Sequence, residues 1–262
     1  MPPNRPPYLL VDTPFARSVS FARPEARTLP ITDRLPIVVG PGRPADTVQL
    51  GRSGHLRDEA SGFPVQIAKV QRPLVRVETL ERPRLLDWLR VKVLGRVVLL
   101  LADAGYGKTT LLADFSRRTR LRTLWYRLDE TDRDWTSFLH HLVAAGREHD
   151  PAFAPATASL LAEIGVGGPT REAVLESLLR ELPTIAAQGA VLILDDFHLV
   201  DDAIDVRHIT RELLARAPDR LTVVFASRRL PAVPLAKLRA VGEVAELFTD
   251  DLRFDATETA QL

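Results

Sequence analysis

Between the apolar run Val97 to Leu101 and a stretch of helical apolar pattern lie Ala102, Asp103, Ala104, Gly105, Tyr106, Gly107, Lys108, Thr109 and Thr110. Two closely spaced glycines, a lysine and two threonines form a combination suited to holding phosphate. Gly105 and Gly107 allow backbone angles and a closeness of approach that a side chain would block, so successive N–H groups can curl around an anion. Lys108 is placed to reach β and γ oxygens, and Thr109 to offer its hydroxyl to Mg²⁺. In the phosphate-binding pattern Gly-x-x-x-x-Gly-Lys-[Ser/Thr] the first glycine is Ala102 here, at a turn that tolerates a methyl group. The candidate nucleotide-binding residues are therefore Ala104, Gly105, Tyr106, Gly107, Lys108, Thr109 and Thr110.

Two further stretches carry matching chemistry. In "VLILDD" an apolar run ends on Asp195 and Asp196, at the carboxyl end of a strand, where α/β sheets place their ligands. Adjacent acids there are costly without a cation. Asp195 is expected to hold Mg²⁺ through water, making Thr109 and Asp195 the metal pair, and Asp196 to orient or deprotonate the attacking water. A helix cap with an acidic first turn is the plainer alternative for the two acids. In "VVFASRR" the strand ends near Arg228. If that strand lies between the phosphate-loop strand and the acidic strand, Arg228 becomes a fixed cation beside the γ-phosphate. The candidate catalytic residues are thus Lys108, Asp196 and Arg228. None of the four lysines, Lys69, Lys92, Lys108 and Lys237, follows the Asn or Thr of a guanine-reading [Asn/Thr]-Lys-x-Asp motif, so adenine is preferred by elimination.

These residues need a rigid frame. From Val65 onward short apolar runs alternate with helical stretches, the signature of a layered α/β domain. Strands are expected at "RVVLLLA", "RTLWYRL", "AVLILDD", "LTVVFASR" and Val244 to Leu247. Helices are expected over "ERPRLLDWLRVKVL", with Pro83 near its first turn and Gly95 at its end, from Lys108 to Arg118, from Trp135 to Arg147, from Pro169 to Leu182 with Pro183 kinking or closing it, and from Ile204 to Arg216. Residues 148–158 read as a loop. The fold class is α/β, a three-layer P-loop NTPase fold with a five-stranded, mainly parallel sheet, since near-continuous apolar strands imply a sheet covered on both faces.

Composition limits the remaining possibilities. Residues 1–64 hold 11 of the 20 prolines and show no sustained period, which reads as a disordered leader. The net charge is +1, from 35 basic and 34 acidic residues, so no overall field attracts nucleic acid. The absence of cysteine excludes disulfides and thiolate zinc sites. No run approaches a bilayer span and no signal pattern opens the chain, which reads as cytoplasmic without membrane contact. Several residues receive non-catalytic readings. His140 and His141 point to different helix faces and are expected as solvent and boundary residues. His198 reads as a packing or capping residue, Trp125 as core, Arg229 as facing solvent or an acid, and the acidic turn "LDETDRDW" as caps, with contact to Mg²⁺ or a partner as the alternative.

In order and spacing, "ADAGYGKTTLL", "WYRLDETDRDWTSFLHHLVAA", "VLILDDFHLV" and "ASRRLPAVPLAKLRAVGEVAEL", with "KVQRP" and "LERPRLL" ahead of them, resemble the nucleotide-binding domain of large bacterial transcription regulators of the MalT type, in the STAND class of signalling ATPases. The resemblance runs from about Lys69 to the end. It implies a switch that holds ADP in a closed monomer, exchanges it for ATP when an inducer binds a C-terminal repeat domain, and then oligomerises on DNA. In those terms Gly105 to Thr110 bind phosphates, Thr109 and Asp195 serve Mg²⁺, Asp196 supports slow hydrolysis and Arg228 monitors the γ-phosphate. The implied organisation is a leader over 1–64, a P-loop domain over 65–249, and the start of a helical module over 250–262. Inducer-sensing and DNA-reading parts are expected downstream in a longer regulator, leaving this chain no direct DNA contact and homo-oligomerisation to the full-length ATP state. Two alternatives remain open, a nucleotide-binding interaction module without catalysis and a stand-alone phosphotransfer enzyme.

Overall fold

The computed structural model describes residues 55–57 and 63–261. Most of the expected leader lies outside them, but β1 (His55–Arg57) pairs antiparallel with β2 (Pro64–Gln66). The chain continues through α1 (Ile67–Val70), α2 (Pro83–Lys92), β3 (Val97–Leu101), α3 (Lys108–Arg118), β4 (Arg122–Arg127), α4 (Trp135–Arg147), α5 (Pro155–Ala162) and α6 (Arg171–Ala186). It then forms β5 (Ala190–Asp195), α7 (Ile204–Arg216), β6 (Leu221–Ser227), α8 (Ala236–Ala240), β7 (Val244–Phe248) and α9 (Ala256–Thr259).

Five strands form one sheet in the order β4-β5-β6-β3-β7, and every pairing in it is parallel. The strand period of two explains the three layers. Val97, Leu99, Leu124, Tyr126, Leu192, Leu194, Val223 and Phe225 face one apolar cluster, completed by α4, α6 and α7. Their neighbours Val98, Leu100, Trp125, Val191, Ile193 and Val224 face the other, completed by α2 and α3. Strand β6 lies between β3 and β5, as the expected position of Arg228 requires.

Three expectations need correction. Residues 148–158 are not all loop, because α5 starts at Pro155, where a missing N–H costs nothing in a first helical turn. Helix α6 passes through Pro183 to Ala186, since burying Ile185 and Ala186 outweighs one lost hydrogen bond. His140 and His141 are both buried rather than at the surface, because the segment Phe63–Val70 covers their helix. The Phe63 ring stacks on His140 at 4.1 Å. His141 Nδ1–H donates to the Ser137 carbonyl at 2.9 Å, leaving Nε2 to accept the Gln66 N–H at 3.2 Å. Lys69 donates to both oxygens of the fully buried Asp132, which also accepts from Ser137 and from the Asp129 N–H.

Burial pushes the His141 pKa below its ordinary value, opposed by the Ser137 carbonyl and by the charges of Asp132 and Asp129, and reinforced by Lys69. A histidine held neutral when folded takes up its proton first when unfolded, so its contribution is present at neutral pH and declines as pH falls below about 6.5. Chemical denaturation at pH 7 and pH 5 is expected to show a smaller acid loss in His141→Gln than in wild type; equal losses contradict this. A Cβ at Gly146 would lie 2.3 Å from the Phe153 ring in a close-packed interior. Gly146→Ala is accordingly expected to lower the unfolding free energy by about 1–3 kcal/mol, read from the same denaturation curves.

Candidate nucleotide site

Strand β3 delivers its last residue into a loop whose first position, Ala102, is buried and donates its N–H to the Ser227 carbonyl of β6. The methyl group in place of glycine is therefore accommodated at the strand end. Gly105 and Gly107 both have positive φ, 87° and 76°, and nothing lies within 4 Å of a Cβ built on either. The requirement for glycine is thus conformational, and the space above the loop is open. Gly107 is the N-cap of α3 and supplies no side-chain cap, so the amides of the first turn keep their capacity for an anion.

Lys108 starts α3 and is buried, its ammonium donating to the Ala102 carbonyl and to the Asp103 carbonyl at 2.9 Å. Burial lowers its pKa, Asp196 and Asp195 counteract this, and Arg228 adds to the lowering. The cation is thereby positioned on the loop by two neutral acceptors, which an anionic ligand can replace.

Thr109 and Asp195 are 86 residues apart in sequence and in direct contact, the hydroxyl donating at 2.9 Å and 3.1 Å to the two carboxylate oxygens. Asp195 has no exposed surface. Burial raises its pKa to about 6, and the adjacent Asp196 charge adds to the rise, against the Thr109 hydrogen bond, the charge of Arg127 and the Asp196 N–H. A buried carboxylate whose hydrogen-bond donors are neutral retains the capacity for a cation. With the Thr109 hydroxyl it makes a small oxygen donor set of the kind Mg²⁺ uses when phosphate and water complete its shell. Among the described residues, no group of three or more His, Cys, Asp or Glu assembles a self-sufficient metal cage.

Asp196 occupies the left-handed region at φ 58°, a strained conformation for a non-glycine residue, and its carboxylate lies 3.5 Å from Arg127. It lines a cleft of about 280 Å³ with Arg228, Lys108, Thr109, Thr110, Ala104, Gly105 and Gly107. Among the sequence-derived candidates, Tyr106 and Asp195 do not line this cleft. Tyr106 lines an adjoining and larger recess, and Asp195 contacts Thr109 from below the surface.

That recess, of about 550 Å³, was not evident in the sequence. Its walls are Thr79, Leu80 and Arg82 ahead of α2, Leu252, Arg253 and Phe254 beyond β7, and Leu111 and Asp114 on α3. It shares Ala104, Gly105, Gly107 and Thr110 with the charged cleft. An apolar chamber and a polar one thus meet over a single loop. The stretch beginning at residue 250, expected to open a further helical module, supplies part of this wall.

The residues with non-catalytic readings line neither chamber. Asp129 and Asp132 form a capping box, and Asp134 caps α4 by accepting from the Ser137 N–H at 3.0 Å. Arg229 faces Asp201 at 3.5 Å and donates to the His198 carbonyl. Both His198 ring nitrogens lack a hydrogen-bond partner among the described residues, and burial, followed by Arg228, lowers its pKa. Trp125 is buried in the core. No helix among the described residues is long and apolar enough to cross a membrane.

Residues 93–230 match the family model described as AAA domain. The chain is 34% identical over 199 residues to the HTH-type transcriptional regulator MalT of Cronobacter sakazakii, a match covering 74% of this chain and 21% of that protein. It is 32% identical over 197 residues to MalT of Vibrio parahaemolyticus, with the same shares covered. The chain therefore spans about a fifth of the length of the curated relatives it matches. A solved signal transduction ATPase with numerous domains (STAND) from Pyrococcus horikoshii, with a tetratricopeptide repeat sensor, aligns with 20% identity and a TM-score of 0.49, over 74% of this chain and 26% of that one. The chain belongs to the AAA domain family and carries a MalT-like P-loop ATPase domain.

Proposed function

We propose that this domain binds ADP or ATP with Mg²⁺ and acts as the nucleotide switch of a MalT-like transcription regulator, hydrolysing ATP slowly. The observation that carries the reading is the union of two unlike chambers over one glycine-rich loop, beside a buried carboxylate bonded to the first-turn threonine. A nucleoside needs an apolar recess and its phosphates need amides and cations. Both adjoin the same loop, sharing Ala104, Gly105, Gly107 and Thr110.

In this reading the amides from Gly105 to Thr110 grip the phosphates and Lys108 exchanges its carbonyl acceptors for phosphate oxygens. Thr109 and Asp195 hold Mg²⁺, which when bound draws charge from the β and γ oxygens. Asp196 orients a water molecule and accepts its proton, and Arg228, just past the end of the strand between β3 and β5, senses the γ-phosphate. Adenine is favoured because no guanine-reading lysine motif occurs. Inducer sensing, DNA contact and oligomerisation belong, in this reading, to the rest of a longer cytoplasmic regulator, with this domain reporting which nucleotide is bound.

Lys108→Ala removes charge-assisted phosphate contacts worth about 1.5–3 kcal/mol, so ADP affinity is expected to fall by roughly tenfold or more in calorimetry. Unchanged affinity rejects the site. Asp196→Asn is expected to leave ADP affinity within about twofold and to lower single-turnover ATP hydrolysis by about a hundredfold. Tight binding with negligible turnover in both proteins favours an interaction module without catalysis, whereas fast turnover that depends on an added small acceptor favours a phosphotransfer enzyme.

A further inference from the structure

The nucleoside recess owes one wall to an ion pair that spans 176 residues. Arg82, the N-cap of α2, is only 8% exposed and directs its guanidinium at the segment after β7. Its Nε and Nη2 donate to the two Glu258 oxygens at 3.1 Å and 3.0 Å. Nη1 donates to the Leu252 carbonyl at 2.9 Å and Nη2 to the Arg253 carbonyl at 2.8 Å. The Phe254 ring lies 4.8 Å from the guanidinium carbon and is half exposed beside the recess. Glu258 is itself buried, in a capping box with Asp255. Burial would raise its pKa, but the Arg82 hydrogen bonds and the Asp255 N–H hold it below the ordinary range.

Arg84 reaches the same segment from the surface, donating to the Asp251 and Arg253 carbonyls at 2.8 Å and to Glu258 at 3.4 Å, and a buried ion pair by itself adds little net stability, because desolvation offsets attraction. This pair does something more specific. The planar fork of arginine fixes two backbone carbonyls, a carboxylate and an aromatic ring in one arrangement, which lysine cannot reproduce. The segment so fixed lines the recess together with Thr79 and Leu80.

We infer that Arg82 is a positioning residue for nucleoside binding: by clasping Leu252 to Glu258 it holds Phe254 as a stacking wall for a purine nucleoside, without touching the phosphates. The inference rests on the nucleotide-binding reading and adds that base affinity and phosphate affinity have separate structural sources. Phosphate is held by the loop and α3. The nucleoside is held only while the segment after β7 stays clasped.

Calorimetry of the whole chain with ADP and with inorganic tripolyphosphate, each with Mg²⁺, separates the two. Glu258→Gln turns an amide donor toward the guanidinium and breaks the fork, and Phe254→Ala removes the ring while leaving the clasp. Both are expected to weaken ADP by roughly tenfold through loss of a pre-ordered wall, with tripolyphosphate affinity unchanged. Lys108→Ala is expected to weaken both ligands. Unchanged ADP affinity in both variants overturns the role of Arg82 and Phe254. An equal loss for ADP and tripolyphosphate also overturns it, since a general loss of structure would act on both. A wild-type chain that binds neither ligand sinks the nucleotide-binding reading and this inference with it, whereas tripolyphosphate binding without ADP binding removes the nucleoside recess alone.

Discussion

Asp195 ends a strand that is apolar along its length, with no surface of its own, and donates nothing unless protonated. A carboxylate in that position needs donors, and the Thr109 hydroxyl and the Asp196 N–H supply them. The bond to Thr109 ties the end of β5 to the first turn of α3, so the acidic strand and the phosphate loop are held in one register. Strand β6 lies between β5 and β3, which sets Arg228 on the same rim. The rest of the site follows from this constraint. Parallel strands end at one edge of the sheet, and the groups that follow their last residues converge there.

The convergence has an electrostatic consequence. Asp196, a buried lysine and an exposed arginine share a small cleft with Asp195 buried beneath its Thr109 wall, and burial works against the charged forms of both Asp195 and Lys108. The charges of Asp196 and Asp195 support the lysine, and the Thr109 hydroxyl, the Arg127 charge and the Asp196 N–H support the buried carboxylate. A magnesium-bound phosphate chain is complementary to such an arrangement, giving the lysine an anion and the carboxylate a cation. Preorganisation of this kind costs stability in the free protein, and the strained Asp196 backbone is consistent with that cost.

The glycine-rich loop and the charged cleft beside it were legible in the sequence because their parts are local. Gly105, Gly107, Lys108 and Thr109 lie within one turn, and Asp195 and Arg228 announce themselves at the ends of apolar strands. Helices α3, α4 and α7 were equally clear, each with an apolar face and definite ends. The larger recess was not legible. Its walls come from Thr79 to Arg82 and Leu252 to Phe254, two unremarkable stretches joined only by folding. The buried histidines were missed for the same reason, since nothing local says that Phe63 to Val70 will cover α4. Helix α5 escaped notice because its N-cap, Ala154, has no capping side chain and sits at φ 54°.

The most direct test is a crystal structure of the chain grown with ADP and Mg²⁺. The account predicts the diphosphate on the amides of Gly105 to Thr109 with Lys108 turned toward it, the metal between Thr109 and Asp195, and the base between Leu80 and Phe254. A nucleotide bound elsewhere, or a diphosphate on the loop with its base outside the recess, would contradict it.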